Sequence, residues 1–274
     1  MKKKLQVTRP VHPNAGIEDA YAKKLEGLAD AMHRSIMWWV LSAYKQNPPE
    51  TEASLMAMDD STAVMLDRVI KRLTRYWRRK YTDAAKELAQ YFAQRTSDQT
   101  NQTMERILKE SGFAVQFKLT PAMNDVLQST IKQNVALITN MADQHLKEIQ
   151  GITMRSVQMG GNLKEMSDQL EARYKMTRRR ARLIARDQNS KATAAITRVR
   201  QTELGIKQAQ WLHSHAGVTP RPTHVAMNNK LYDVAKGMWD KDANGKGKGS
   251  FIHPGELINC RCVSKSVIPE LGIR

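Results

Sequence analysis

The chain has 274 residues, enough for one large domain or two ordinary ones, and 41% of them are apolar, which is enough for a core. Its net charge of +17 favours a polyanionic neighbour such as nucleic acid, or an assembly with acidic partners. Two cysteines exclude a disulfide-rich secreted scaffold, and no apolar run approaches the roughly 18 residues of a membrane span. The basic start lacks the apolar core of a secretory signal, so we expect a protein made in a reducing cytosol.

Hydrophobic spacing predicts long amphipathic helices through the N-terminal two thirds of the chain. After a basic extended arm at residues 1–16, we expect a helical body at residues 17–159. Its predicted segments are a helix at 17–46 stopped by Asn47-Pro48-Pro49, a helix from Asp59-Asp60-Ser61 to Ser111-Gly112 with a break or bend in the polar run 96–103, a short extended piece at 114–119, and a helix from Thr120-Pro121 to Gly151.

Two features of this body concern its buried surface. The stretch Met37–Leu41 is apolar on all sides, so this end of the first helix should be buried or touch a partner. His145 shares a helical face with apolar residues, a pattern more typical of a hydrogen-bonded core histidine than of a ligand.

Residues 160–274 are predicted to form a C-terminal module. Its helical part, residues 162–204, is expected to follow the Gly160-Gly161 turn as two helices, the second capped by Thr177 and ended by Gly205. After Gly205 the composition changes, with β-prone pieces at 209–212, 230–234 and 261–267 and a flexible loop at 240–250. The sequence therefore predicts a mainly α protein with a small C-terminal α+β subdomain at residues 205–274.

Two rows of arginine are candidates for nucleic-acid binding. Spacings of three and four residues place each row along one side of a helix, where it could follow a line of phosphates. A solvated face with no ligand is the alternative for each row. The candidate residues are Arg68, Arg72, Arg75 and Arg79 in the first row, and Arg178, Arg179, Arg182 and Arg186 in the second.

Four residues near the C-terminus are candidates for a structural brace or a metal site: His224, His253, Cys260 and Cys262. His213-x-His215 and Cys260-x-Cys262 would each place two side chains on one face of a strand, and imidazoles with thiolates are zinc ligands. The spacing differs from that of common zinc motifs, so zinc and a purely hydrogen-bonded brace both stay open. Nucleophilic catalysis by a cysteine with a histidine base is a third interpretation.

Several runs in this module resemble the phage head morphogenesis family, the Mu F-like minor head proteins. They are R-A-R-L-I-A-R-D-Q at 180–188, L-G-I at 204–206, Trp211, R-P-T-H at 221–224, A-M-N-N at 226–229 and H-P-G-E-L-I-N-C-R-C at 253–262. The resemblance covers about residues 160–270. Its motif residues here are Arg186, Asp187, Trp211, Arg221, Pro254, Gly255, Asn259 and Arg261.

The chain departs from the family pattern at two places. His215-Ala216-Gly217 stands where an Asp is common, which weakens the case for an acid/base site. Asn229 replaces a common Gly, a change that Asn tolerates because it can adopt a left-handed conformation.

The resemblance implies a low-copy structural, non-enzymatic protein of a tailed-phage head, and it leaves open whether each head contains several copies. Such a protein acts in head morphogenesis and in DNA packaging or ejection, bridging the portal or the inner capsid surface to DNA. Its implied partners are the portal protein, the major capsid protein and double-stranded DNA, with no membrane during assembly. It would be made in the host cytoplasm and reside in the virion, in the capsid interior or the portal region. Some relatives carry a toxin domain after this module, and the short stretch after Cys262 leads us to expect none here. The alternative function is a metal-dependent hydrolase or transferase that uses the C-terminal His/Cys cluster.

Overall fold

The structure is a computed structural model that describes residues 5–46, 61–159, 162–215, 217, 219–245 and 247–269. Its elements in chain order are β1 (Leu5–Val7), α1 (Ala15–Gln46), α2 (Thr62–Glu110), α3 (Pro121–Gln158), α4 (Leu163–Glu203), β2 (Gln208–Leu212), α5 (Pro222–Met227), β3 (Leu231–Asp233), β4 (Met238–Asp240), β5 (Ser250–Ile252) and β6 (Val263–Pro269). The predicted fold class, long helices followed by a small region of short strands, is confirmed.

Local capping chemistry sets several of the helix ends. Asn14 Oδ1 accepts a hydrogen bond from the backbone N–H of Ile17 at the start of α1, and Asn162 Oδ1 accepts from Lys164 and Glu165 at the start of α4. Thr120 Oγ1 accepts from Met123 N–H at 3.2 Å and so caps α3, as predicted. The predicted stops at 47–49, and the Gly160-Gly161 turn, lie outside the described residues, as do Asp59 and Asp60.

Glycines in the left-handed region end two of the long helices, as predicted. Gly112 has φ +90° just after α2, and Gly205 has φ +68° just after α4. At the end of α4 the N–H of Ile206 returns to the carbonyl of Gln201. This return bond satisfies one of the carbonyls that a helix end leaves open.

The predicted break at residues 96–103 is wrong, because α2 continues without interruption to Glu110. Thr96, Ser97 and Thr100 are buried, so packing of these small side chains outweighs their weak helix propensity. The predicted end at Gly151 is also wrong, since α3 runs on to Gln158. Ile152 and Thr153 are buried directly after this glycine, which shows that the packed face continues past it.

The predicted cap at Thr177 is a third error, because α4 is one helix from Leu163 to Glu203. Thr177 is buried in mid-helix, and its hydroxyl donates to the carbonyl oxygen of Arg173 one turn earlier. The same hydroxyl lies 2.8 Å from Nδ1 of His145, which is itself fully buried. His145 is therefore the hydrogen-bonded core histidine that its position predicts.

The strands form a four-stranded sheet in the order β1-β6-β2-β3 and a separate hairpin of β4 and β5. All neighbouring strands are antiparallel. The β-prone pieces at 209–212, 230–234 and 261–267 correspond to β2, β3 and β6, whereas residues 114–119 form no strand. Most of the loop predicted at 240–250 connects β4 to β5 in this hairpin. Neither β4 nor β5 was predicted from the sequence.

The chain forms two compact units that are interleaved in sequence. The sheet unit contains Met1–Asp19, Gln90–Ile131 and Ala185–Arg274, and the helical unit contains Ala20–Ala89 and Lys132–Ile184. The four long helices, α1 to α4, each contribute residues to both units. The sheet unit also takes up the segment that the sequence interpretation treats as an arm, because Leu5–Val7 pairs with β6.

The core of the sheet unit positions the C-terminal cysteines. One buried cluster contains residues from β2, α5, β3, β5 and the approach to β6: Ala209, Trp211, Met227, Tyr232, Val234, Ile252, Cys260 and Cys262. Burial of this apolar surface fixes the segment Cys260–Cys262 against the helix α5, which carries His224. In the described part of the chain, no helix has an apolar stretch of the length needed to cross a lipid bilayer.

Candidate functional site

His224 is placed by the short helix α5. Arg221 is its N-cap residue in extended geometry and Pro222 is its first residue, so the fixed φ of proline starts the helix. His224 is 2% exposed and lies edge-on to the Trp211 ring, with 5.3 Å between ring centroids. The imidazole is thus held inside the sheet unit and cannot act as a surface group.

Cys260 and Cys262 lie on the segment that leads into β6. The turn before them places Gly255 at φ +83° and Asn259 at φ +58°, and the N–H of Cys260 bonds to the carbonyl of Leu257 at 3.0 Å. Both thiols are buried, and Cys260-x-Cys262 spacing turns them to the same side. The two thiols lie on the same side, but the predicted strand face is wrong, because β6 begins at Val263, after both cysteines.

Three donor atoms converge at this point. Nδ1 of His224 is 3.4 Å from Sγ of Cys260 and 3.6 Å from Sγ of Cys262, and all three atoms lie within 4.8 Å of one another. We call His224, Cys260 and Cys262 the His/Cys cluster. Its donor types, one imidazole nitrogen and two sulfurs, are those that zinc prefers.

A buried carboxylate faces the other side of the imidazole. Oδ2 of Asp240, at the end of β4, is 3.3 Å from Nε2 of His224, at an angle outside hydrogen-bond geometry. Asp240 is 1% exposed, and its Oδ1 accepts the N–H of Asp242. The negative charge favours the tautomer with its proton on Nε2, which leaves a lone pair on Nδ1 towards the sulfurs.

The two thiols share their charge unequally. The hydrogen bond from Cys262 lowers the pKa of Cys260 against the opposing effect of burial. The hydrogen bond to Cys260, followed by burial, raises the pKa of Cys262. Of the two thiols, Cys260 is therefore the one that loses its proton first.

A small cavity of about 70 Å³ opens next to the cluster. His213 lines it and is held by two contacts, its N–H to Oδ1 of Asn228 and its Nδ1 to the N–H of His215. Burial lowers the pKa of His213, and His215 and His224 lower it further. The predicted shared strand face for His213 and His215 is wrong, since β2 ends at Leu212 and His215 has φ +50°.

His253 is not part of this cluster. Its Nδ1 accepts from the guanidinium of Arg198 at 3.0 Å, and its Nε2 lies 3.0 Å from the carbonyl of Val234. With Nδ1 as acceptor, Nε2 carries the proton and donates to Val234. The brace predicted for four residues is therefore two separate features, the His/Cys cluster and a link from His253 to α4 and the end of β3.

The first arginine row lies on the helical unit and is exposed. Arg72, Arg75 and Arg79 all face solvent along α2, as does Arg68. The guanidinium of Arg72 also lies over the Trp39 ring, 5.3 Å from its centroid. This row can present several positive charges to a ligand at once.

The second arginine row is partly neutralised within the protein. Arg178 lies 3.4 Å from both Glu26 and Asp30, and Arg182 Nε donates to Glu26 at 2.5 Å. Arg179 is exposed, whereas Arg186 is half-buried and belongs to the sheet unit. The two rows therefore differ in the charge that they offer to an outside partner.

Comparison with known proteins bears on the module that holds the cluster. Residues 147–265 match the family model described as Phage Mu protein F like protein. This segment is Mu F-like. The chain is also 28% identical over 217 residues to an uncharacterized protein of Haemophilus influenzae, an alignment that covers 77% of this chain and 46% of that protein. The chain thus spans about half the length of the curated relative it matches, and no solved structure matches it.

Motif residues of the Mu F-like segment tie its helix to its last turn. Oδ1 of Asp187 accepts the N–H of Asn259 at 2.6 Å, and Oδ2 pairs with Lys191 Nζ at 2.9 Å. Arg221 donates from its guanidinium to the carbonyl of Ile258 at 2.9 Å. These contacts hold the turn before Cys260 from two directions.

The surroundings of the other motif residues indicate structural roles. Trp211 is fully buried, and Pro254 is buried in the turn. Arg186 is half-buried, with an Nε that finds no hydrogen-bond partner among the described residues, and Arg261 lines the cavity. Asn229, which stands for a common Gly, has φ +63°, so the expected left-handed conformation is confirmed.

Asp240 is the member of the site that the sequence interpretation missed. It stands at the start of a Gly- and Lys-rich loop, and its partner His224 is on a different element. A short run such as Met238–Asp240 gives too weak a strand signal to place its last side chain in a core. Only the hairpin of β4 and β5 brings this carboxylate inside.

Proposed function

We propose that the protein is a structural minor head protein of a tailed phage. It acts in head morphogenesis and in DNA packaging or ejection, and it bridges the portal or the inner capsid surface to DNA. The observation that carries this proposal is the Mu F-like segment at residues 147–265, in which Asp187 and Arg221 both hold the turn before Cys260. The virion, in the capsid interior or at the portal, is the proposed location.

The exposed arginine row of α2 supports contact with double-stranded DNA. Arg75 and Arg79 are exposed on the same side of the helix, together with Arg68 and Arg72. Most of the affinity of a protein for duplex DNA comes from such phosphate contacts, without sequence preference. The row on α4 is a weaker candidate because Glu26 and Asp30 already compensate Arg178 and Arg182.

Three exposed aromatic side chains on the helical unit support contact with a protein partner. Trp38 is 61% exposed, Trp39 40% and Tyr76 51%, although Val40 beside them is fully buried. Aromatic side chains with a neighbouring arginine, here Arg72, are the residues enriched at protein interfaces. We assign this surface to the portal protein or the major capsid protein.

The surroundings of the His/Cys cluster favour a structural over an enzymatic role. A nucleophile needs access to substrate, and Cys260 and Cys262 are each 4% exposed. The adjoining cavity of about 70 Å³ is far below the roughly 300–1,000 Å³ of typical small-molecule sites. A hydrolase or transferase reaction at this cluster is therefore the less supported alternative.

Mass spectrometry of purified proheads and mature virions tests the proposal. A head protein should be present at a constant number of copies in both particles, and its amount should fall in particles assembled without the portal if the portal recruits it. Its absence from every purified particle would reject the head assignment and leave a DNA-binding protein of the infected cell.

A further inference from the structure

We propose that the His/Cys cluster binds one zinc ion through Nδ1 of His224 and the two sulfurs of Cys260 and Cys262. The proposed zinc site does not depend on the head-assembly role, because it rests only on the geometry of these side chains. It would be a metal clamp within the Mu F-like segment.

The distances within the cluster match tetrahedral coordination. Bonds of ~2.3 Å to sulfur and ~2.0 Å to nitrogen, set at the tetrahedral angle, put the two donor atoms about 3.5 Å apart. The observed Nδ1–Sγ distances are 3.4 Å for Cys260 and 3.6 Å for Cys262. Both contacts use the same nitrogen, so one ion can replace both hydrogen bonds with little movement.

Asp240 completes the pattern of a zinc-bound histidine. Histidines that bind a metal through one ring nitrogen almost always present the other to a carboxylate or carbonyl, which fixes the tautomer. Oδ2 of Asp240 lies 3.3 Å from Nε2 of His224, and neither atom has a full hydrogen bond among the described residues. A cation on the far side of the ring accounts for a buried, 1% exposed carboxylate that is otherwise poorly compensated.

The fourth coordination position of the zinc ion would lie in the small cavity. The cavity is lined by His213 as well as by all three donors. A water molecule in this space would complete the tetrahedron. The clamp would then join α5 to the segment before β6 and, through Asp240, to β4.

The first experiment measures zinc bound to the full chain, purified without chelator and then titrated with zinc. We expect one zinc per chain by elemental mass spectrometry. Substitution by Co²⁺ should give a near-ultraviolet thiolate-to-metal absorption band, which a surface histidine site cannot produce. Zinc below about 0.1 per chain after titration, or a Co²⁺ complex without the thiolate band, would overturn the proposal and leave a hydrogen-bonded brace.

Variants locate the ion. The double change Cys260→Ser and Cys262→Ser keeps hydrogen-bonding groups of similar size, and we expect it to lose the zinc. His253→Gln and His215→Gln are matched controls outside the cluster and should retain one zinc per chain. Zinc retained by the double serine variant, or lost from both controls, counts against the site. If the double variant fails to fold, the Co²⁺ spectrum of the unchanged chain still decides.

Asp240→Asn tests whether the contact between Asp240 and His224 strengthens zinc binding. Loss of such an outer partner typically weakens metal binding 10- to 100-fold. We therefore expect this variant to bind one zinc at saturation but with an affinity lower by that factor. An affinity unchanged within about twofold would show that Asp240 does not support the metal.

Discussion

Gly255 is a residue whose conformation and surroundings both exclude a side chain. It has φ +83°, and a Cβ placed there would lie 2.7 Å from Cβ of Ala194 on α4. The turn that carries Cys260 therefore sits directly on the helix, and only glycine allows this approach. This contact accounts for a glycine at position 255.

Gly255→Ala should lower the free energy of unfolding by about 2 kcal/mol or more, from backbone strain together with overpacking. Gly245→Ala is the matched control, since its φ is +70° but no described heavy atom lies within 4 Å of the added Cβ. This control should cost only the left-handed penalty, about 1 kcal/mol. Urea unfolding of both variants measures the difference, and equal effects would contradict the packing argument.

His145 links stability to pH. Burial lowers its pKa from 6.5 to about 3, with smaller contributions from Arg173 and His33. Because the folded state binds the proton less well than the unfolded state, its contribution is intact above pH 6.5 and is lost as the pH falls towards 3. At pH 4 the loss is about 3 kcal/mol.

His145→Gln should remove this pH-dependent loss. Gln can still bond to Thr177 but binds no proton, so the variant should lose less stability than the unchanged chain between pH 7 and pH 4. Thermal unfolding of both proteins across this range measures the difference, and contributions from other titrating groups cancel. Parallel curves for the two proteins would mean that His145 is protonated equally in both states.

The residues of the C-terminal site show which chemistry a sequence reveals. The convergence of His224, Cys260 and Cys262 could be predicted because few residue types bind metals and all three stand in one module. Exclusion of His253 and inclusion of Asp240 could not, because each depends on where a turn or hairpin directs one side chain. The neighbouring residues in the sequence do not indicate the direction in which such a side chain points.

At the scale of elements, α2 and α4 carry similar arginine rows in different electrostatic surroundings. Arg178 and Arg182 have Glu26 as a common partner, contributed by α1. Arg75 and Arg79 are exposed along α2. A partner that binds phosphates should therefore depend more on α2 than on α4.

The double change Arg75→Ala and Arg79→Ala should weaken binding to duplex DNA and reduce the slope of log affinity against log salt by about 2. Arg178→Ala with Arg182→Ala removes the same formal charge from paired positions and should reduce the slope by less. Salt titrations on two unrelated DNA sequences measure both, and the effect should be the same on each. A larger effect from the α4 pair would reverse the assignment.

The ends at Asn162 and Gly205 were predicted correctly, whereas the end at Gly151 and the cap at Thr177 were predicted wrongly, and the difference has a physical reason. Caps such as Asn162 and stops such as Gly205 act within one turn, so the sequence alone indicates them. Thr177 has the chemistry of a cap, yet its hydroxyl bonds back to Arg173 inside a continuous helix. Whether a threonine caps or continues a helix is decided by packing that lies far away in sequence.

At the scale of the whole molecule, the sheet unit depends on a strand from the beginning of the chain. Leu5–Val7 pairs with β6, whose residues are more than 250 positions away, and Thr8 extends the contact. The N–H of Thr8 donates to the carbonyl of Ser266 at 2.9 Å, and its Oγ1 accepts the N–H of Ser266. A three-residue strand has no detectable period, so this pairing could not be predicted from sequence.

Thr8→Pro tests whether this pairing stabilises the sheet unit. Proline removes the N–H that bonds to Ser266, so we expect a loss of about 2–3 kcal/mol, seen as a lower melting temperature. Val7→Pro is the matched control: β1 is an edge strand, and alternation of the ladder directs the N–H of Val7 away from β6. Its effect should be clearly smaller. If both variants have the same melting temperature as the unchanged chain, β1 contributes little to the stability of the sheet unit, and the pairing of β6, β2 and β3 suffices.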